Sequence, residues 1–372
     1  MRRIYLDRLN VVLDKTNLTP EDLLFLMKLE NSDDLARLYE RAYSVKEKNV
    51  GKKAYYRGLI EFSNVCIRDC TYCGIRKTSP QERFTMTKEE IMSMAHWAHK
   101  NQYGSVTLQS GERQDAEFEA FVADIINTIK KETDLGITLC LGEQSLETYQ
   151  KWFDCGAHRY LLRIETSNAD LYKKIHPMIE TSSGANTFEE RVTCLDNLRK
   201  IGYQVGTGVM IGLPSQTEED LVNDLIFFKK QDVDMIGMGP YAVHKDTPMG
   251  QEVLSHGLDS DAEKERRFLL GLKMIAIARL YLKDVNIAAT TALQALDPFG
   301  REKGLKAGAN ILMPIITLKE HRRKYQLYDN KPCIDDDQDH CKQCLTGRVR
   351  SVGDEVGFGE WGDSPHFSGN AS

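Results

Sequence analysis

The sequence predicts an α/β protein built on a complete (βα)8 barrel of the TIM type, with an N-terminal helical extension and a C-terminal wrap that contains cysteines. Three observations support this fold class. Eight short apolar segments alternate with helical segments in the middle of the chain, the first part is helical throughout, and the part after Pro314 is rich in charge, glycine and cysteine. We therefore expect a helical extension at 1–51, a barrel at 52–314 and a C-terminal segment at 315–372.

The N-terminal extension carries two helix signals. At 19–22 the sequence Thr-Pro-Glu-Asp offers a capping threonine, a proline at the first helical position and an acid at the third. Residues 31–48 are rich in Glu, Arg and Leu and form the second predicted helix.

The barrel prediction depends on eight candidate strands. They are 56–62, 105–109, 136–141, 160–165, 204–211, 235–239, 287–291 and 309–313. The helices between them carry start signals, since 87–90 and 187–190 are capping boxes and 217–220 is a close variant. Because the active sites of such barrels lie at the C-terminal ends of the strands, we expect the functional residues there.

Charge and hydropathy exclude some classes of partner. The formal net charge is -6, which disfavours nucleic acid because phosphate binding needs a basic face. The basic cluster at 321–324 is interpreted as a solvated helix or loop face. No apolar run is long enough to span a bilayer, and the first residues lack the apolar stretch of a signal peptide. We therefore expect a cytoplasmic protein without nucleic-acid or membrane partners.

The nine cysteines are unevenly distributed along the chain. In a reducing compartment, clustered cysteines indicate metal binding more than disulfides. Six of them form two groups of three, Cys66, Cys70 and Cys73 in one and Cys333, Cys341 and Cys344 in the other. The remaining Cys140, Cys155 and Cys194 are interpreted as ordinary buried thiols.

The first group has the spacing C-x3-C-x2-C and directly follows the first strand candidate. Thiolates are the usual ligands of iron–sulfur clusters. Three thiolates on a cluster of four irons leave one iron open to an outside ligand. Tyr72, just before the last cysteine, can shield such a cluster. A zinc site would need a fourth protein ligand, and an electron carrier of the ferredoxin type would need a fourth cysteine.

This spacing, with tyrosine before the last cysteine, resembles the signature of the radical-SAM superfamily. The resemblance implies a [4Fe–4S] cluster whose open iron binds the amino and carboxylate groups of S-adenosylmethionine (SAM). It also implies reductive cleavage of SAM to methionine and a 5′-deoxyadenosyl radical. Residues 109–112, Gln-Ser-Gly-Glu, match the position at which the superfamily binds the SAM ammonium group.

Other polar residues lie at the predicted strand ends. Arg163 and Glu165 point the same way along a strand, so they can pair with each other or each can hold a ligand. Arg191 is a candidate for the SAM carboxylate, which favours a bidentate guanidinium. The glycine-rich loop that contains Met210 allows close approach of adenosine. Thr290 and Thr291 suit a polar substrate, although a structural role is equally open.

The second cysteine group lies in the acidic tail. Cys333, Cys341 and Cys344 suggest an auxiliary iron–sulfur cluster, [2Fe–2S] or [4Fe–4S], at the surface and away from the first cluster. A zinc site completed by His340 is the alternative.

The order of motifs sharpens the resemblance. The runs at 66–76, 108–112, 160–166, 212–217, 234–240 and 307–314 are similar to those of the HydE family of [FeFe]-hydrogenase maturases. The resemblance implies a role in H-cluster assembly, with an iron–cysteine carbonyl/cyanide complex as substrate, and a partner radical-SAM maturase, a scaffold GTPase and an external reductant as partners. By position, the SAM region matches Gln109, Ser110, Gly111, Glu112, Thr138, Glu165, Arg191, Met210 and Met235. The substrate cavity matches Arg163, Thr290, Thr291, Arg301 and Tyr325.

Three alternatives share part of these features. A methylornithine synthase would have the barrel without the tail cysteines, and a biotin synthase would need additional cluster ligands inside the barrel. An iron–sulfur carrier or scaffold without enzymatic activity would not need the charged residues 163, 165 and 191.

Overall fold

A computed structural model of the chain describes residues 2–177 and 186–370, with side chains for 7–177, 186–339 and 341–367. The helices are α1 Arg2–Asp14, α2 Pro20–Met27, α3 Ser32–Val50, α4 Lys88–Lys100, α5 Ala116–Glu132, α6 Leu146–Asp154, α7 Ala169–Ile175, α8 Phe188–Ile201, α9 Glu218–Lys230, α10 Pro248–Ser255, α11 Asp261–Leu282, α12 Thr291–Leu296, α13 Gly300–Lys306, α14 Lys319–Arg322, α15 Gln338–Ser351 and α16 Pro365–Asn370. The strands are β1 Lys53–Ser63, β2 Ser105–Ser110, β3 Gly136–Cys140, β4 Arg159–Leu161, β5 Gln204–Thr207, β6 Met210–Ile211, β7 Met235–Ile236, β8 Gly239–Pro240, β9 Asn286–Ile287, β10 Ile311–Leu312 and β11 Glu355–Val356.

The main sheet is parallel and contains all eight predicted strand positions. Its strands follow the order β10-β1-β2-β3-β4-β5-β7-β9. Between the two outermost strands, Asn310 N donates to Ile287 O and Ala289 N donates to Ile311 O, both at 2.9 Å. The parallel sheet of alternating strands and helices is therefore the predicted arrangement.

Local capping signals determine where the outer helices begin. Thr19 and Asp22 form the capping box of α2, and Thr87, Thr187 and Thr217 each form one at the start of α4, α8 and α9. In each box the threonine hydroxyl accepts from the third backbone N–H of the helix, and the acid accepts from the cap residue itself. These predictions are confirmed.

Strand alternation divides the side chains on the inner face of the sheet into layers. On β1, Arg57 faces a small lower cavity, while Leu59 and Glu61 face the large upper one. On β3, Thr138 lines the lower cavity and Cys140 the upper one. Because side chains on one face recur every second residue, a shift of two positions along a strand moves a side chain from one layer to the next.

The C-terminal segment contacts the start of the barrel strands. Strand β11 pairs in parallel with Lys53 and Ala54 of β1. Further on, Gly362 O accepts from the buried Arg57 at 3.1 Å, and Asp363 pairs with Arg159 at 2.6 Å. These contacts connect the C-terminal segment to the first halves of β1 and β4.

Two sequence expectations about this framework are wrong. Thr290 does not end a strand but precedes helix α12, because the strand stops at Ile287. Arg322, interpreted as part of a solvated face, is 1% exposed and donates to the carbonyl oxygens of Thr317, Cys333, Asp336 and Ile315. A buried guanidinium needs this many acceptors, and sequence spacing does not reveal them. Among the residues described, no helix has the length and apolar character needed to cross a membrane.

Candidate active site

A cavity of about 330 Å³ opens at the C-terminal ends of the strands, within the size range of small-molecule sites. It brings together most of the residues that the sequence singles out. These are Cys66, Cys70, Tyr72, Cys73, Gln109, Ser110, Gly111, Glu112, Arg163, Glu165, Arg191, Met210, Thr290, Thr291 and Tyr325. The prediction that polar residues from several strand ends converge is therefore correct.

The loop after β1 holds the first three cysteines against the cavity. The backbone N–H groups of Arg68 and Glu112 donate to Cys66 Sγ, each at 3.4 Å. Gly111 allows this approach, because a Cβ atom there would lie 2.3 Å from Val65 O and 2.8 Å from Cys66 Cβ. The donors stabilise negative charge on the sulfur atom, as a thiolate ligand requires.

The three thiols suit a multinuclear cluster better than a single ion. Their sulfur atoms do not all lie within 4.8 Å of one another, whereas four ligands at about 2.3 Å from one zinc ion would be closer together. Burial raises the pKa of Cys66, raises that of Cys70 well above its usual value, and raises that of Cys73 to about 12. Such thiols ionise only with a cationic partner, which the irons of a cluster supply.

Arg68, between the first two cysteines, is a functional candidate that sequence reasoning missed. Its side chain is 3% exposed, and it donates to Glu112 at 2.5 Å and to Glu143 at 2.7 Å. Both carboxylates are nearly buried as well. Buried charges need partners, so these ion pairs connect the cysteine loop to the ends of β2 and β3. The only sequence signal was an arginine inside a compact metal-binding loop.

Arg191 extends this set of charges to helix α8. Its Nε lies 2.6 Å from Glu143 Oε1, but that N–H is not directed at the carboxylate as a hydrogen bond requires. Its Nη1 donates to Arg163 O at 3.2 Å. Two arginines and two glutamates therefore form one buried, charge-neutral cluster beside the cysteines, which we call the loop charge cluster: Arg68, Glu112, Glu143 and Arg191.

Glu165 occupies a strained backbone conformation at the end of β4. Its φ is 63°, a left-handed value uncommon for a residue other than glycine and concentrated at functional sites. Arg163 Nη2 donates to Glu165 Oε2 at 2.8 Å, so the two predicted residues do pair. Below them, the buried Asp224 accepts from Ser167 N at 2.6 Å and supports the turn.

Tyr72 lines the cavity beside the cysteines. Its hydroxyl lies 3.1 Å from His176 Nε2, and the two rings meet edge to face. Burial lowers the pKa of His176 well below its usual value, with Arg191 adding to the shift. The ring of Tyr72 packs on a small apolar cluster that includes Met210.

The wall of the cavity also contains a pair of charged residues that the sequence did not reveal. Lys331 Nζ donates to Glu61 and to Tyr325 O, and both charged side chains are nearly buried. Gln109 Nε2 donates to the hydroxyl of Tyr325 at 3.3 Å. Glu61 interrupts an apolar strand, and this charged residue in a buried strand was the signal that could have found the pair.

Three predicted site residues lie outside the main cavity, and their assignment is corrected. Thr138 accepts from Arg159 Nε at 3.0 Å, and Met235 accepts from Arg57 at 2.8 Å, both in the lower layer. Both residues lie too early in their strands to reach the large cavity at the C-terminal ends. Thr138 is in the middle of its strand, and Met235 is the first residue of its strand. Arg301 lies behind the wall and donates to Thr291 Oγ1 at 3.3 Å.

The tail cysteines are less exposed than expected. Cys341 is buried, Cys333 is partly buried and only Cys344 is exposed. The neighbouring thiol of Cys341 lowers the pKa of Cys333. The side chain of His340 lies outside the described part of the chain.

The three scattered cysteines are each partly buried, not fully enclosed. Cys140 lines the large cavity, Cys194 lies 3.9 Å from Gln144 O, and Cys155 ends helix α6. The interpretation of Cys140 as an ordinary packed thiol is therefore incomplete, because its side chain contributes to the cavity wall.

Comparison with known proteins identifies the family. The Radical SAM superfamily profile matches residues 60–228. The chain is 39% identical to the [FeFe] hydrogenase maturase subunit HydE of Thermotoga maritima, over 94% of this chain and 95% of that protein. The chain belongs to the HydE family. It is 26% identical to the 3-methylornithine synthase of Methanosarcina acetivorans over 82% and 81% of the two chains.

Solved structures show the same fold. The crystal structure of methylornithine synthase (PylB) superposes with a TM-score of 0.78 at 24% identity, covering 94% of this chain and 97% of that one. HydG from Carboxydothermus hydrogenoformans, an FeFe-hydrogenase maturase, superposes with a TM-score of 0.76 at 18% identity, covering 96% and 80%. This member of the HydE family is a radical SAM enzyme, and its family implies a [4Fe–4S] cluster and SAM.

Proposed function

We propose that this HydE-family enzyme acts in the maturation of the [FeFe]-hydrogenase H-cluster. Its substrate would be an iron–cysteine carbonyl/cyanide complex, and its product a precursor of the dithiolate-bridged di-iron subcluster. The observation that carries the proposal is the 39% identity to the Thermotoga maritima maturase over nearly the full length of both chains. The cysteine loop and the polar cavity provide the matching chemistry.

Cys66, Cys70 and Cys73 would hold the cluster. When bound, the [4Fe–4S] cluster supplies the electron that cleaves SAM to methionine and the 5′-deoxyadenosyl radical. Arg191 would bind the SAM carboxylate, since it lies in the cavity with part of its guanidinium uncommitted. The backbone at Ser110 and Gly111 would accept from the SAM ammonium group, and Tyr72 would exclude water from above.

Gln109, Glu112, Glu165 and Met210 would complete the SAM site. All four line the same cavity as the cysteines. Glu165 has an acceptor oxygen beside Arg163 that suits a ribose hydroxyl, and the side chain of Met210 offers apolar contact. Glu112 would act through the cysteine loop, because it already pairs with Arg68.

The substrate would occupy the part of the same cavity that carries hydroxyl and guanidinium groups. Arg163, Thr290, Thr291 and Tyr325 line this part, and Arg301 supports Thr291 from behind. Cationic and hydroxyl groups suit an anionic complex with cyanide and carboxylate ligands. A partner radical-SAM maturase would supply the complex, a scaffold GTPase would receive the product, and an external reductant would deliver electrons.

A second iron–sulfur cluster at Cys333, Cys341 and Cys344 is a further part of this proposal. The thiols of Cys333 and Cys341 are close enough to shift each other's pKa, and Arg301 and Arg322 add positive charge near them. Exposure of Cys344 argues against a part in the radical step.

We also propose the three-part organisation at 1–51, 52–314 and 315–372, with a closed barrel and a C-terminal wrap. The hydrogen bonds between β9 and residues 310–311 support closure. The contacts of Gly362 and Asp363 with barrel arginines support the wrap.

The test is maturation of an apo-hydrogenase by the other maturation proteins, with and without this protein. We expect hydrogenase activity only when it is present, and none with a Cys73→Ala variant. Full activity in its absence would remove the maturase function while leaving SAM cleavage, measured as 5′-deoxyadenosine, as a separate property.

A further inference from the structure

The Glu61–Lys331 pair leaves one buried acceptor unused. Glu61 is 1% exposed and its Oε1 is bound by Lys331 Nζ. Its Oε2 accepts no hydrogen bond from any residue that the structure describes. Because an unsatisfied buried acceptor is costly, and Glu61 lines the large cavity, this oxygen is suited to a ligand that donates hydrogen bonds.

Lys331 partly offsets the effect of burial on Glu61, whose pKa is raised. Burial alone raises the pKa of the Glu61 carboxyl, and Lys331 is the strongest opposing influence, followed by Arg322. Lys331 is itself held by Tyr325 O at 3.0 Å and lies 5.3 Å from the centre of the Tyr325 ring. The ammonium group is therefore fixed on Oε1, and Oε2 is left as a buried acceptor in a side chain that lines the cavity.

A guanidinium lies on a different wall of the same cavity. Arg163 follows β4, three strands from β1 in the sheet order, and its Nε has no hydrogen-bond partner within the described part of the chain. Tyr328 lines the cavity within electrostatic reach of both Glu61 and Arg163. The cavity therefore presents an anionic acceptor on one wall and cationic donors on another.

We propose that Glu61 Oε2 binds the α-amino group of an amino-acid ligand, with Lys331 as the residue that positions Glu61. This inference rests on the proposed function. It assigns the amino end of the substrate's cysteine to the wall with Glu61 and the carboxylate end to the wall with Arg163. An ammonium group and a metal-bound amine both carry N–H donors, so Glu61 can accept from either form. The carboxylate end is left to the Arg163 side, where Nε is a charged donor without a partner among the described residues.

The test compares two thiol ligands on the reconstituted, SAM-loaded enzyme. L-cysteine carries the amino group, and 3-mercaptopropionate has the same thiol and carboxylate without it. A charge-assisted hydrogen bond contributes roughly 1.5–3 kcal/mol, so we expect cysteine to bind about tenfold more tightly or better by anaerobic calorimetry. If the wild-type enzyme binds both ligands with equal affinity, or shows no measurable binding of cysteine, that result alone overturns the proposal.

The double variant Glu61→Gln/Lys331→Met removes both charges of the buried pair together, which avoids leaving one charge alone. We expect the cysteine preference to fall to about unity while the affinity for 3-mercaptopropionate stays within roughly twofold. The matched control is Glu82→Gln/Lys324→Met, an ion pair with exposed Glu82 outside the cavity, which should keep the preference. A preference that survives in the first variant would refute the role of Glu61.

The outcomes separate this inference from the maturase function. If cysteine is preferred but maturation does not need the protein, the amino-group site stands and the proposed function falls. If maturation needs the protein but the wild-type enzyme shows no preference, the amino-group site falls alone.

Discussion

Replacing Arg68 by methionine tests whether the loop charge cluster holds the cysteine loop in place. Methionine keeps an unbranched side chain of similar length but removes the guanidinium that pairs with Glu112 and Glu143. Arg191 would remain beside Glu143, so Glu112 would lose its only ion pair among the described residues. We therefore expect the variant to be less stable and to hold the cluster loop less firmly.

The magnitude follows from burial. Removing one partner of a buried ion pair costs about 3–5 kcal/mol, because the remaining charge is left uncompensated. Arg68 and Glu112 are 3% and 6% exposed, so solvent screens the loss little. For a chain of 372 residues, the unfolding entropy is about 0.8 kcal/mol/K, and the expected fall in melting temperature is about 4–6 °C.

Scanning calorimetry on the reconstituted enzyme measures the fall in melting temperature. The iron content and the EPR signal of the reduced cluster show whether the loop still holds the cluster. Arg323→Met is the matched control, since its pair with Asp335 is exposed and worth at most about 1 kcal/mol. A melting temperature for Arg68→Met no lower than that of Arg323→Met, with full iron content, would refute the reasoning.

The same variant has a pH signature. Burial raises the pKa of the Glu112 carboxyl, and Arg68 is the main influence that opposes the rise. Without Arg68 that pKa rises further, so the variant's carboxyl takes up a proton at higher pH than the wild type does. The stability deficit is therefore largest at neutral and alkaline pH and shrinks as pH falls. A deficit independent of pH would mean that lost packing, not charge, dominates.

Three further predictions concern the cluster, a helix cap and the C-terminal segment. Cys73→Ala should abolish 5′-deoxyadenosine formation and lower the iron content, whereas Cys155→Ala should change neither. Thr187→Ala should lower the free energy of unfolding by about 1 kcal/mol in denaturant titrations, because it removes the cap of α8. Asp284, together with Asp232, raises the pKa of His366 from 6.5 to about 9. The melting-temperature difference between wild type and His366→Gln should therefore be full below pH 6.5 and vanish as pH rises through 9; a constant difference would contradict this.

Local chemistry explains what the sequence predicted well. The capping boxes at Thr87 and Thr187 depend on residues three positions apart, so each could be read without tertiary information. The three clustered cysteines also act within one loop. Their spacing alone therefore predicted that they lie together at one cavity.

Tertiary register explains the errors. Thr138 and Cys140 are two residues apart on one strand, yet they face different layers of the barrel interior. Sequence spacing gives the period of two but not the height of each strand relative to its neighbours, which the parallel pairing sets. Lys331 pairs with Glu61 across 270 positions, and no local pattern indicates such a partner.

The missed Arg68 also gives the proposed role of Arg191 a physical basis. If Arg191 were the only cation near Glu112 and Glu143, binding a ligand carboxylate would leave two buried glutamates competing for one charge. Arg68 already pairs with both glutamates, and Arg191 reaches Glu143 without a directed hydrogen bond. Arg191 can therefore turn toward a bound carboxylate while Glu143 keeps Arg68 of the cysteine loop as its partner. The change of partner then costs little free energy, because no buried glutamate is left unpaired.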